Sequence, residues 1–236
     1  MYSANAPVRP PVKHMTTEST SSEPRLPLTR QRVLEAAMRI ADEGGFESLT
    51  MRGLGQELGV QAMSLYNHVA NKDEIRDGIV ELVMNEIEPP SGPDWKTAVR
   101  ESAMSAHDAF VRHPWACSLQ MASTSVSPAR MRWMEDLLRT LREAGFSPNL
   151  THHAYHALDS HITGFTLWQV SFPFETHEEL VDLAEHFLRQ ISADEYPYVV
   201  EHAQEHIEPP DPEEPSEFEF GLDLILDGLE RLRDRE

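Results

Sequence analysis

The 236 residues carry 20 Lys/Arg against 40 Asp/Glu, a formal net charge of −20, with 40% hydrophobic and 25% charged residues. That is enough apolar material for a sizeable core, and no run is long and apolar enough to cross a bilayer. The lone cysteine, Cys117, excludes an intrachain disulfide and fits a reducing cytoplasm.

Charge is unevenly placed. Residues 1–80 hold nine Lys/Arg and ten Asp/Glu, a balance of −1, while residues 81–236 hold eleven and thirty, a balance of −19. Such an excess of carboxylates repels phosphate. The back two-thirds is therefore read as acidic for solubility, with attraction for a cationic effector as the sharper alternative. Only the front third is free of that repulsion. Residues 1–27 are crowded with Pro, Ser and Thr and lack the apolar centre of a secretory signal, which predicts a disordered arm. Met15 is an alternative start.

Helical periodicity governs the chain after residue 28, and no alternating strand pattern is found. Thr29 caps a first helix whose Val33, Ala37, Ile40 and Ala41 share a face, ended by Gly44 and Gly45. Thr50 caps a short second helix, MRGLGQEL, and Gly59 suits the positive φ of a sharp helix-to-helix turn. A third short helix carries Met63, Leu65, Tyr66 and His68. A connecting helix over about 72–88 follows, with Ile75, Ile79, Leu82 and Val83 on one face. Beyond the break EPPSGPD, helices are predicted at 95–112, 115–123, 127–144, 149–171 and 176–191. Residues 194–216, acidic and proline-rich at their end, read as a partly mobile loop, and 217–233 closes the chain as a helix. The expected fold is all-α, with a three-helix unit over 28–74 and a larger helical unit over 75–236.

Two short helices joined at a glycine, behind a longer supporting helix, have the layout of a helix-turn-helix DNA reader. In that layout the second short helix enters the major groove. Gln61, Ala62 and Asn67 are then placed to set sequence preference. Tyr66 and Ser64 offer hydroxyls to phosphate, and Lys72 adds a charge beside the amino end of the next helix. Arg52 can reach a phosphate or a guanine edge.

The stretch FESLTMRGLGQELGVQAMSLYNHVANKDEI closely resembles the DNA-binding region of the tetracycline-repressor (TetR/AcrR) family of bacterial transcriptional regulators. The matching positions are Leu49, Thr50, Arg52, Leu54, Leu58, Gly59, Val60, Leu65, Tyr66, His68, Val69 and Lys72. Together with the first helix they cover about a fifth of the chain. Thr50 and His68 join the expected DNA contacts on that basis. One departure is Gly55, where the family usually has alanine, which predicts a slightly looser second helix. The back of the chain resembles the tetracycline-repressor branch, with DWKTAVRESAMSAHDAFVRHP, AGFSPNLTHHAYHALDSHITGFTLW and FEFGLDLILDGLERL in the same order.

This resemblance implies a homodimer whose 149–171 and 217–233 helices form a four-helix interface. Tyr155, Leu158, Ile162, Phe218, Leu222, Ile225 and Leu229 are its expected contacts. It also implies a small-molecule effector, no cofactor, and a role as a repressor rather than an enzyme. An effector pocket among the helices at 95–144 and 149–171 would be lined by Met104, His107, Trp115, Met121, Trp133, His161, Phe165 and Trp168. Their bulk predicts a mainly apolar ligand, with aromatic character as an option and His107 or His161 as the polar contact. Where the branch has a drug-contacting His, Asn and Phe, this chain has Glu88, Ser102 and Ala106, and Gln120 stands near the position of a magnesium-binding His. Magnesium–tetracycline is therefore not the expected effector.

Two other classes stay open on residues alone. His152, His153, His156 and His161 cluster, and the i,i+4 pair His152/His156 has metal-ligand spacing, which would suit an all-helical metal-dependent enzyme. No HExxH glutamate accompanies it. The third class is a protein-interaction module whose reader has decayed, against which Arg52, Tyr66 and Lys72 stand.

Overall fold

Eight side chains fix where helices begin. Thr29, Thr50, Asn71, Asp94, Ser127, Ser147, Thr176 and Ser216 each accept the backbone N–H three residues on. A helix start leaves four such donors without partners, so each cap satisfies one of them. The computed structural model describes residues 27–123, 125–172, 176–205 and 214–236. Residues 1–26 of the expected arm and 206–213 of the acidic segment lie outside the described residues.

Among the described residues the chain is all-α. Helices α1 (Arg30–Gly44), α2 (Met51–Glu57) and α3 (Ala62–Leu65) are followed by the connecting helix α4 (Lys72–Met84). The body comprises α5 (Trp95–Arg112), α6 (Pro114–Ala122), α7 (Pro128–Glu143), α8 (Pro148–Val170), α9 (His177–Leu188), α10 (Pro197–Glu205) and α11 (Glu217–Arg233). A 3₁₀ turn at Phe46–Ser48 was not legible in the sequence. Nor was α10, which occupies part of the segment expected to be a loop.

In the front unit Val33, Leu34 and Ala37 of α1 are buried with Leu54, Leu65, Ile75 and Ile79 from the three following helices. Leu65 is the only fully buried residue of α3, so one leucine anchors that short helix. In the body, α5, α8 and α11 pack on one another. Phe218, Leu222 and Leu226 of α11 are fully buried, as are Leu158 of α8 and Ala109 of α5. Each large apolar side chain so buried contributes about 1.5–3 kcal/mol. Ion pairs from Lys96 to Asp227 and Glu230, and from Arg100 to Glu219 and Asp223, run along the outside of the α5–α11 seam. Partly exposed pairs contribute about 0–1 kcal/mol each, so the apolar seam dominates.

Six residues expected at a dimer interface are taken up by this core. Tyr155, Leu158, Ile162, Phe218, Leu222 and Leu229 are all buried within a single chain, and only Ile225 is half-exposed. The apolar stripe read from the sequence is real, but α5 covers it. A different row faces outward. On α11, Phe220 and Leu224 are each 56% exposed, and Gly228 and Leu232 continue the same i,i+4 row. On α8, His152, His156, Ser160, Gly164 and Trp168 form a matching exposed row.

Candidate nucleic-acid interface

The tight turn between α2 and α3 builds the reader. Gly59 has φ 66°, which a glycine adopts without strain, and Val60 N–H closes the turn by donating to Gly55 O at 2.8 Å. Gly55 has a second role. A Cβ there would stand 2.9 Å from Val60 O and 3.1 Å from Ala62 N, so its absence lets the turn lie directly against α2. The departure from alanine thus brings α3 close rather than loosening α2.

The expected contacts fall on three neighbouring pieces of chain. Thr50 and Arg52 are exposed at the start of α2, with the Thr50 hydroxyl oxygen accepting Gly53 N–H at 3.0 Å. Gln61, Tyr66 and Asn67 are exposed around α3, while Ala62, Ser64 and His68 are half-buried. Lys72 opens α4, and its Nζ lies 4.6 Å from the centre of the Phe46 ring. Neither Arg52 nor Lys72 forms an ion pair among the described residues. Both therefore present unpaired positive charge beside the turn, whereas Arg30 and Arg39 are paired with Glu74 and Glu57. The sequence reading passed over Met63. Its side chain is 74% exposed in the middle of α3, where an apolar group can meet a thymine methyl.

Behind the reader, polar contacts fasten α1 and α4 to the body. His113, at the joint of α5 and α6, is buried and faces two carboxylates. Its Nδ1 lies 2.7 Å from Asp42 Oδ1 on α1, and its Nε2 lies 3.3 Å from Glu86 Oε1 just beyond α4. Trp115 Nε1–H donates to the same Asp42 oxygen at 2.7 Å. Glu81 of α4 accepts from Ser127 Oγ and from Ala129 N–H, capping α7. Ser102 Oγ donates to Glu88 O at 2.7 Å and accepts Trp133 Nε1–H at 3.0 Å.

The residues expected to line one effector pocket divide among five places. Trp115 belongs to the joint with α1. His107, His161 and Phe165 surround Phe218, with the His107 ring stacked on it at 3.9 Å between centroids. Burial holds His107 below the usual imidazole range. Thr166 Oγ1 donates to Ile162 O, so His107 Nδ1–H is the donor in its 2.8 Å bond to Thr166 Oγ1. His161 Nε2 donates to Phe218 O at 2.9 Å. These two histidines brace α5, α8 and α11. Met121 and Trp168, at 61% and 55% exposed, are surface residues, and Met104 is half-buried against the core.

Only Trp133 of the eight lines the small, partly open cavity between α4, α5, α7 and α8. Met84, Ile87, Phe110, Asp159 and Ile162 are among its other walls, and it has room for about one water molecule. A drug-sized site needs several hundred Å³, so this cavity is too small for one as it stands, and the open cleft of about 780 Å³ along Arg30, Asn71, Glu74, Glu81 and Arg130 is lined by none of the eight. The histidine cluster gains no third ligand. His152 and His156 lie edge to face at 4.6 Å between centroids, both exposed, and no three His, Cys, Asp or Glu side chains converge among the described residues.

Known proteins share this architecture. Residues 33–79 match the model of bacterial regulatory proteins of the tetR family, and residues 88–233 match the tetracyclin repressor-like C-terminal domain. The HTH-type transcriptional repressor DrrR1 of Streptomyces coeruleorubidus is 31% identical over 228 residues, spanning 92% of this chain and 83% of that protein. ActR of Streptomyces coelicolor, solved with actinorhodin, superposes with a TM-score of 0.72 at 30% identity, over 88% of this chain and 99% of that one. BioQ, solved on its double-stranded DNA operator, superposes with a TM-score of 0.58 at 25% identity, over 86% and 98%. With its glycine-hinged reader in front and its helical body behind, the chain belongs to the tetR family of bacterial regulatory proteins and is a DNA-binding transcriptional regulator.

Proposed function

We propose that the protein is a cytoplasmic, homodimeric repressor that grips a palindromic operator and releases it when a small, mainly apolar molecule enters the helical body. The observation that carries DNA binding is the unpaired Arg52 and Lys72 beside the exposed side chains of α3, in a chain that is otherwise strongly acidic. A reader only four helical residues long cannot hold DNA alone. Paired readers at successive major grooves double the phosphate contacts, and the two-fold axis makes the site palindromic.

The outward rows of α8 and α11 support a second copy as the partner. Phe220, Leu224, Leu232 and Trp168 are large apolar side chains left exposed on α11 and α8, two helices that pack on one another. Gly164 and Gly228 sit inside helices with nothing within 4 Å of where a Cβ would lie. A helix-interior glycine costs about 1 kcal/mol relative to alanine, and close approach of another backbone is what such positions permit. Both rows run at i±4 spacing, which suits interdigitated helix packing.

Release follows from where α4 sits. Met84 and Ile87 at its end form part of the cavity wall, while Lys72 at its start belongs to the reader. A ligand that needs a wider cavity binds the shape in which α4 has moved, and so favours it. DrrR1 is named a repressor and ActR was solved with a small molecule, which supports carrying both properties to this chain.

The test is operator binding by Lys72→Ala at several salt concentrations. Loss of one phosphate contact per subunit should weaken binding to specific and random DNA alike and reduce the salt slope by about 0.9 for each contact. Gln61 and Met63 variants should instead alter sequence preference. Unchanged affinity and slope in Lys72→Ala would remove the lysine from the interface.

A further inference from the structure

Among the described residues, Asp159 is the one ionisable residue on the cavity wall. It lies on α8, half-buried, with Met84, Ile87, Phe110, Trp133 and Ile162 around the same space. Among the described residues, no hydrogen bond or ion pair reaches its carboxylate. Its backbone carbonyl accepts from Thr163 Oγ1. Arg130 and His156 are near enough to favour its charged form, but burial outweighs them and holds the acid above the usual carboxylate range. Its field also reaches inward to α6. Burial first, and then the charge of Asp159, push the thiol of fully buried Cys117 up to about 11.

A half-buried carboxylate with no hydrogen bond, whose burial outweighs the charges near it, destabilises the fold because its lost hydration is not fully replaced. Such a group is expected where it meets a ligand. The polar contacts read from the sequence are already engaged, with His107 Nδ1 bonded to Thr166 and His161 Nε2 to Phe218. Asp159 has no such hydrogen bond among the described residues. Trp133 and Phe110 line the same cavity and are aromatic groups of the kind that favours cations, in a segment whose balance is −19 over residues 81–236. We propose that the cavity between α4, α5, α7 and α8 recognises an effector with a protonated amine on an aromatic or otherwise apolar frame, the ammonium group donating to Asp159. This rests on reading the chain as a ligand-responsive regulator. It names the chemical class that reading left open.

The test uses the full chain and three probes of one shape: 1-naphthylmethylamine, 1-naphthylmethanol and 1-naphthoate, titrated by calorimetry near pH 7. The amine should bind about tenfold or more tightly than the alcohol, and the carboxylate should not bind. Asp159→Asn should reduce the amine to the affinity of the alcohol and leave the alcohol unchanged. The same variant should melt higher at pH 7, because an acid whose folded-state value is raised destabilises the fold once pH exceeds that value. Equal affinity for amine and alcohol, no binding at about millimolar probe, or a preference surviving in Asp159→Asn would each overturn the proposal. So would a variant that melts lower or fails to fold, since the carboxylate would then be a structural partner. Operator release is scored separately. An amine that binds through Asp159 without changing operator affinity leaves the recognition site standing and overturns its role in regulation.

Discussion

Leu224→Glu should convert the protein from dimer to monomer at micromolar concentration and abolish tight operator binding, while leaving each monomer folded. Leu224 lies mid-way along the outward row of α11, more than half exposed in the single chain. A carboxylate there costs the monomer almost nothing. In an interface through this row the carboxylate would be desolvated without a partner, which is costly at a central position. A loss of 2 kcal/mol or more weakens association about thirty-fold or more. Leu222→Glu, two residues away, should behave in the opposite manner. Leu222 is fully buried against the body, so the charge should unfold the chain. Sedimentation with circular dichroism distinguishes the two outcomes. A Leu224→Glu protein that stays dimeric would move the interface off this row.

Loss of the joint at His113 should weaken both stability and repression. His113→Ala removes the ring that spans Asp42 of α1 and Glu86 beyond α4. Trp115 N–H still reaches Asp42, and Arg112 still reaches Glu86 at 2.9 Å, so the two carboxylates keep one partner each. The cost is that of a buried hydrogen-bonded group and the hole it leaves, about 1–3 kcal/mol, or about 2–4 °C in melting temperature for each kcal/mol. The functional effect should exceed the thermal one. With α1 no longer tied to the body, the two readers lose their fixed spacing, so operator affinity should fall and the effector should alter it less. His113→Gln, which can donate to one carboxylate, should fall between. Wild-type melting and wild-type operator affinity in His113→Ala would show that the joint transmits nothing.

The reader was legible in the sequence because its constraints are local. Thr50 and Gly59 act on atoms within a few residues of themselves, so capping and positive φ follow from residue type and spacing alone. The helix boundaries around 95–112 and 149–171 were legible for the same reason. What periodicity cannot tell is what covers a given stripe. Leu222 and Leu229 belong to a buried stripe, as do Tyr155 and Leu158, but the neighbours that bury them are helices of the same chain. Only packing frees Phe220, Leu224 and Gly228 to face outward. The joint of Asp42 with His113 spans 71 residues, and no spacing rule connects them. Asp159 is one carboxylate among the thirty in residues 81–236 until α4, α5 and α7 close around it. The sequence by itself determined the family, the all-helical class and the charged groups near the DNA reader, since these are set by local pattern. Which faces meet a partner, which side chains brace the core and which acid faces the cavity were decided by long-range packing, because burial is a property of the assembled chain.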